Sequence, residues 1–511
     1  MATPGEGLVM RRFSSTAAVI VTLVLATGPV ATSDGELQGQ SFRVSGSTNL
    51  RYVDVRPFIQ DSVPAGELDG TGLLRQLPDG QVVRCAPGST FCRGTRPGPS
   101  LSTIPGSQDL EMSVWGLGRG VRVYGQLRGR TSWGGDPDFW PRANETVNLL
   151  AGYGELNRDR YRVRLGRQWT ASGLGFYNFD GLQLTLRPRA GWSVEGYAGR
   201  SLVRGLNEQR TGDALEAIEE LAPNEPGLAL GATVRYRPSP RLNLTALYHR
   251  DVRDDRRGLY SELARLDGVY RFGAASVEAA VERDVVGGEF NELRLRARTP
   301  PLGSVALAVE GRRYRPYFEL WTIWGAFSPV GFDEGRLDLT WAPSGGDLIV
   351  RGEASYRSYD DTGLDEGVGR FRTDGWGLGA NASWTPRELW RVEGGYRMEV
   401  GFGAARSEGH GGVRRSMGDL GHVALRGLAF QRLYEFRLDH GVVVGLGAET
   451  SLRLTDRVQA LGSVTSYRHL DQGDQPDMDW NQLRANLRLR WTVGAEPGVT
   501  RQPPTDPPEV P

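Results

Sequence analysis

Arginine recurs at every second position in several segments of this chain. Arg160, Arg162 and Arg164 alternate with Tyr161, Val163 and Leu165, and Arg294, Arg296 and Arg298 with Leu293, Leu295 and Ala297. Near the end, Arg484, Arg488 and Arg490 interleave with Leu483, Ala485, Leu487, Leu489 and Trp491. Arg122, Arg128, Arg351, Arg391 and Arg397 fall into the same pattern, as do the acids Glu353 and Glu393. Arg235, Arg357, Glu278, Asp338, Glu399 and Glu435 extend the polar set. A guanidinium is a planar fork of donors that fits a carboxylate and stays charged. A row of them on one face binds anions if solutes reach it, and braces a wall if acids stand opposite.

Catalytic chemistry has little to work with. The histidines are His249, His410, His422, His440 and His469, and neither a GxSxG nor an HExxH run accompanies them. His249 lies two residues from Asp251, a spacing that suits hydrogen bonding at a strand end. Gly441–Gly447 (GVVVGLG) reads as strand, without the following helix that a phosphate-cradling loop needs. The reading is therefore a non-enzyme, with no cofactor and no metal. Cys85 and Cys92 are close in sequence, not in a CxxC spacing, and have no His nearby. In an exported chain they read as a small loop disulfide.

Period-2 segments position these residues. Leu182, Leu184 and Leu186 alternate with Gln183, Thr185 and Arg187; Trp390, Val392, Gly394, Tyr396 and Met398 alternate with Arg391, Glu393, Gly395, Arg397 and Glu399. Alternation of this kind makes strands with one apolar and one polar face. The charge on the polar face favours a hydrated interior over a soluble core. Connections also alternate in length. Tight turns are predicted at 157–159, 188–190, 238–240, 299–303, 343–346, 386–387 and 456–457. Longer loops are predicted near 134–144, 171–180, 203–225, 251–258, 316–334, 360–371, 401–418 and 471–479. Short periplasmic turns and long external loops belong to a transmembrane antiparallel up-and-down β-barrel. The fold class is all-β, with about 22 strands between Phe42 and Val493 on a segment count, or 18 or 20 because 418–441 is ambiguous. Trp133, Trp169, Trp192, Trp341, Trp384, Trp390 and Trp491 near segment ends suit interfacial aromatic girdles.

Bulk properties agree. The formal net charge is zero, from 61 basic and 61 acidic residues, which excludes the basic field of a nucleic-acid binder. All the basic residues are Arg. Gly numbers 70, roughly double the usual ~7% share, and sits inside the alternating segments. Mean hydropathy is −0.40, as expected where only every second strand residue faces lipid. Residues 1–33 read as a signal peptide: Arg11 and Arg12, the apolar run Ala17 to Ala26, then Ala31-Thr32-Ser33 as the cleavage site. Residues 34–494 form the barrel, with 58–108 a long Pro/Gly loop carrying the cysteine pair. Asp213–Leu221 reads as a short acidic helix in a loop, and 495–511 as a Pro-rich disordered tail.

The run Arg164-Leu165-Gly166-Arg167-Gln168, followed by a Gly-containing loop and Phe179-Asp180-Gly181-Leu182, resembles the alginate-export family of outer-membrane porins. The hairpin Leu110–Arg130, turning at Arg119-Gly120, is similar too. The resemblance covers about a quarter of the chain and implies an outer-membrane porin of a Gram-negative-type bacterium.

The expected function is a channel for passive or facilitated diffusion of small hydrophilic solutes, with inward arginines favouring anionic or carbohydrate ones. The contrasting class is a non-conducting barrel acting as adhesin, receptor or scaffold through its external loops. Expected partners are outer-membrane lipid, the outer-membrane assembly machinery and the solutes themselves. Oligomeric state is not legible.

Overall fold

A computed structural model describes residues 41–494 except 56–57, 69–73, 77–81, 86–87, 98–100, 135–146, 203–226, 254–257, 316–329, 344–345, 361–372, 402–403, 435–440 and 471–479. The expected signal peptide, the 213–221 helix and the 495–511 tail lie outside the described residues.

The first strand is β1 (Ser41–Val55). A small group follows: β2 (Phe58–Pro64), β3 (Leu74–Gln76), β4 (Val82–Cys85) and β5 (Phe91–Pro97). The chain then runs through β6 (Leu101–Trp115), β7 (Val121–Trp133), β8 (Val147–Asn157), β9 (Tyr161–Ser172), β10 (Gly175–Leu186), β11 (Trp192–Ser201) and β12 (Leu228–Ser239). It continues with β13 (Leu242–Arg253), β14 (Gly258–Phe272), β15 (Ala275–Asp284), β16 (Glu289–Arg298), β17 (Val305–Tyr314), β18 (Phe332–Trp341) and β19 (Leu348–Tyr359). Last come β20 (Asp374–Arg387), β21 (Trp390–Gly401), β22 (Ala404–Ser416), β23 (Gly421–Tyr434), β24 (Val442–Thr455), β25 (Val458–Leu470) and β26 (Trp480–Gly494).

From β6 to β26 each strand pairs antiparallel with the next, and β1 pairs with both β6 and β26. The result is a closed sheet of 22 strands. Closure leaves no free edge, so every strand finds backbone partners within the wall, the condition a lipid-exposed sheet must meet. Tilted by ~40° and spaced ~4.8 Å apart, 22 strands enclose a wall roughly 44 Å across between backbones if circular. Side chains alone do not fill an interior of that width.

Register sorts the side chains. On β9, Val163, Leu165 and Trp169 share a face with Leu182 and Leu184 of β10, while Arg162, Arg164 and Gln168 share the other with Thr185, Gln183 and Phe179. The first face is outward: Leu165 is 65% exposed, and Leu425 and Leu446 elsewhere are 63% and 70% exposed. An outer wall this apolar demands an apolar solvent, and the barrel is a transmembrane one. Tyr161 and Trp169 face outward eight residues apart on β9, as do Trp376 and Trp384 on β20. That spacing corresponds to roughly 20 Å of height at ~3.3 Å per residue and a ~40° tilt, most of the ~25 Å apolar band of such a barrel. Trp192, Trp341, Trp384, Trp390 and Trp491 stand at the short-turn end, and Trp133 and Trp169 at the other. Two of these rings lie flat on glycine: a Cβ on Gly46 would overlap the Trp491 indole, and one on Gly106 would meet Trp133 at 2.8 Å.

Both barrel termini and the short turns share one end, where no connection exceeds the six residues between Trp341 and Leu348. Most connections at the other end are long, but four expectations there need correction. Residues 401–418 are not a loop, since β22 fills most of them. Its outward positions are Ala405, Ser407, Gly409, Gly411 and Val413, too small to announce a lipid face. The predicted loop at 171–180 is a hairpin connection of Gly173 and Leu174, because the outward Asn178 and Asp180 interrupt the apolar rhythm of β10. The expected loop at 251–258 is shorter, with β13 reaching Arg253 and β14 starting at Gly258. The expected loop 58–108 also ends early, because Leu101 already belongs to β6. The ambiguous 418–441 contains β23.

Residues 58–97 hold their own sheet, in the order β2-β5-β4-β3. Cys85 and Cys92 face each other across β4 and β5 and are disulfide-bonded, with Cα atoms 4.2 Å apart. They pack with Leu68 and Val83 in a small core, flanked by Val63 and Ala65. So few apolar side chains make a marginal core, which the cross-link supports.

Candidate functional site

The enclosed face of the barrel carries the charge. Register places Arg122, Arg128, Arg162, Arg164, Arg294, Arg296, Arg298, Arg351, Arg391, Arg397, Arg484, Arg488 and Arg490 on it, together with Glu353 and Glu393. Arg160 precedes β9 on the same parity and sits in the turn. The sequence pattern reaches these residues because each occupies the polar half of a zigzag whose other half is apolar.

Of these arginines, Arg128, Arg162, Arg164, Arg296, Arg391 and Arg397 are tied to acids. Arg164 meets Glu155 at 2.5 Å and Arg128 meets Asp109 at 2.5 Å. Arg162 reaches Glu195 at 3.5 Å. On β14, Arg265 bonds Asp267, Glu282 and Glu292 at 3.0, 2.8 and 2.7 Å, and Arg312 joins Glu292 at 2.9 Å. From β16 to β22 a continuous lattice runs through Arg296–Asp338 (2.8 Å), Arg336–Asp338 (2.8 Å), Arg336–Glu353 (2.6 Å), Arg397–Glu353 (3.3 Å) and Arg406–Glu399 (3.1 Å). Arg357 connects Glu334 at 3.2 Å with Glu399. Arg426 links Glu449 at 2.9 Å with Glu393 at 3.6 Å, and Arg391 lies 3.8 Å from Glu393. Such pairs hold neighbouring strands in register. The sequence reading missed Arg265, Arg312, Arg336, Arg406 and Arg426, because which arginine meets which acid depends on strand pairing.

One sector differs. The inward positions of β25, β26 and β1 include Arg484, Arg488, Arg490, Arg43 and Arg51 and no carboxylate. Arg488 donates to Asn49, and Arg484 donates to Gln482 at 2.7 Å and lies over the Tyr467 ring at 5.1 Å. Asp109 and Glu111 stand beside this strip on β6, opposite Ser47 and Ser45 of β1, but the strip itself carries no acid. It runs from the long-loop end, at Arg484 and Arg51, to the short-turn end, at Arg490 and Arg43. Arg43 and Arg51 were legible as alternating arginines within 41–55, but their meeting with the β26 set needs barrel closure.

Among the described residues the histidines do not converge. His249 is 1% exposed, its Nδ1 lies 2.7 Å from the Tyr197 hydroxyl, and its ring stacks on Tyr177. His469 stacks on Trp480, and His422 Nδ1 lies 2.9 Å from an Arg414 nitrogen. Among the described residues, no three His, Cys, Asp or Glu side chains gather as metal ligands would.

The runs Arg164–Gln168 and Phe179–Leu182 have a structural explanation here. Arg167 and Asp180 are cross-strand partners on the outer face and form a two-pronged pair, at 2.8 and 2.9 Å. Gln168 donates to the Gly181 carbonyl at 2.9 Å on the inner face. These side chains clasp β9 to β10 from both sides.

No protein-family model matches the chain, and no curated protein matches it in sequence. Solved barrels do align along most of its length. OccAB1 of Acinetobacter baumannii is 8% identical, with 90% of this chain and 99% of that one covered and a TM-score of 0.38. The translocation pore of the P pilus usher PapC is 10% identical, covering 88% and 99%, with a TM-score of 0.42. OpdQ of Pseudomonas aeruginosa is 10% identical, covering 89% and 99%, with a TM-score of 0.38. At these values the likeness extends no further than barrel architecture.

Proposed function

We propose that the protein is a bacterial outer-membrane channel that lets small hydrophilic solutes diffuse through its barrel and prefers anions. A closed wall with an apolar band outside and ion pairs inside suits a membrane-spanning conduit, and an interior far wider than wall side chains can fill suits water-borne solutes. The observation that carries the preference is the strip on β25, β26 and β1, where five arginines point inward and no inward residue of the three strands is an acid. Elsewhere the acids that neutralise arginines are already bound to them. Fixed positive charge along a conduit raises the local anion concentration and repels cations.

Reconstitution into planar bilayers tests this directly. Under a potassium chloride gradient, the reversal potential is expected to take the sign of chloride preference. Replacing Arg484, Arg488 and Arg490 with Gln together is expected to move it toward zero. Cation preference in the unmodified protein would refute the reading. A second reading, a sealed barrel that works through its external surface, is favoured only by the disulfide-bonded sheet of residues 58–97. A folded barrel without conductance would support it.

A further inference from the structure

A hollow of about 520 Å³ opens in the wall between β16 and β20. Its charged lining is Arg296, Arg298, Arg336, Arg351, Asp338 and Glu353. The volume falls within the ~300–1,000 Å³ of ordinary small-molecule sites. Sequence makes the recess: β17 turns only Ala306 and Ala308 inward here, between the long side chains of β16 and β18. Its rim is polar, because Thr340 pairs across the strands with Arg351, and Arg351 with Asn381.

The charges divide into two kinds. Arg296 and Arg336 are both held by Asp338 at 2.8 Å, and Arg336 also by Glu353 at 2.6 Å. Arg298 and Arg351 are different. Among the described residues neither has a carboxylate within salt-bridge distance, although both line the hollow. They sit on β16 and β19, three strand spacings apart, which is roughly 14 Å between backbones at ~4.8 Å per strand. Two uncompensated guanidinium groups therefore flank an alanine floor, and four arginines against two acids leave a surplus of two positive charges in the lining.

We propose that this hollow is a binding site for a small organic dianion, a dicarboxylate with one carboxylate on Arg298 and the other on Arg351. The surplus charge matches a dianion. Guanidinium forks match carboxylate geometry, and the distance between the two arginines selects for charge at both ends of the solute. Thr340 and Asn381 offer hydrogen bonds to substituents between those ends. The proposal rests on the reading that the enclosed face meets water-borne solutes. It adds a specific station to the general anion preference of the arginine strip.

Calorimetric titration of the full-length barrel in detergent with succinate and with acetate provides the test. Succinate is expected to bind at least tenfold more tightly than acetate. The double variant Arg298→Gln/Arg351→Gln is expected to lose at least tenfold in succinate affinity. The charge-keeping Arg298→Lys/Arg351→Lys variant should lose less than the Gln variant, because it keeps the charge but not the fork, and heat-modifiable gel mobility verifies that each variant folds. Equal binding of acetate and succinate, absence of succinate binding, or undiminished binding by the Gln variant would overturn the site. The bilayer measurement separates this from the channel reading. Chloride preference without succinate binding sinks the site and leaves the channel standing. Succinate binding that needs Arg298 and Arg351 in a barrel without conductance sinks the channel and leaves the site.

Discussion

Substituting Leu165 with Arg tests the placement of the barrel's two faces at a single atom-scale position. Leu165 is outward on β9, four residues from Tyr161 and four from Trp169. Four residues at ~3.3 Å, tilted by ~40°, place it about 10 Å in height from either aromatic, and so near the middle of the ~25 Å apolar band. An arginine facing lipid at the midplane costs about 2–4 kcal/mol. At ~1.4 kcal/mol per factor of ten, the folding equilibrium should fall by roughly 30- to 1,000-fold. Ser463 provides the control, since it faces inward on β25 directly opposite Glu449. An arginine there gains an ion-pair partner in a hydrated setting, so its effect should stay within about 1 kcal/mol. The assay is urea unfolding of barrel refolded into lipid vesicles, followed by tryptophan fluorescence and by heat-modifiable mobility. If Leu165→Arg costs no more than the ~0.5 kcal/mol typical of a water-exposed surface position, the outer face does not touch hydrocarbon. The inside-outside assignment would then be wrong.

Three further outcomes follow from the same geometry. Arg357, Arg397 and Arg406 converge on Glu399, so Glu399→Gln should lower stability by about 1–2 kcal/mol in a partly solvated setting. It should also shift the reversal potential further toward chloride, and an unchanged potential would show that this cluster does not face the conduit. Replacing Cys85 and Cys92 with Ser removes a cross-link worth about 2–3 kcal/mol by chain entropy. Limited proteolysis should then cut within residues 58–97, whereas the barrel keeps its heat-modifiable mobility; loss of that mobility would mean the small sheet is integral to the wall. Gly46→Val forces the Trp491 ring off the backbone it covers, at a cost of about 1–3 kcal/mol for overpacking. A urea midpoint and a tryptophan spectrum equal to those of the unsubstituted protein would remove Trp491 from its place on β1.

What the sequence determined by itself is the architecture and its two faces. Period two carries that information, because successive strand side chains point to opposite sides, so Leu165 and Arg164 were assigned to opposite faces before any pairing was known. It failed where a strand has no bulky outward residue, as in β22, and where polar outward residues such as Asp180 break the rhythm. Only the tertiary structure decided which charges meet. Arg298 and Arg296 look alike in sequence, yet Arg296 is bound to Asp338 of β18 and Arg298 has no such acid among the described residues. Arg488 gains Arg51 and Arg43 as companions only because β1 and β26 close the barrel. An ion pair is a contact between strands, and a contact between strands depends on register and closure, quantities that no single segment of the chain contains.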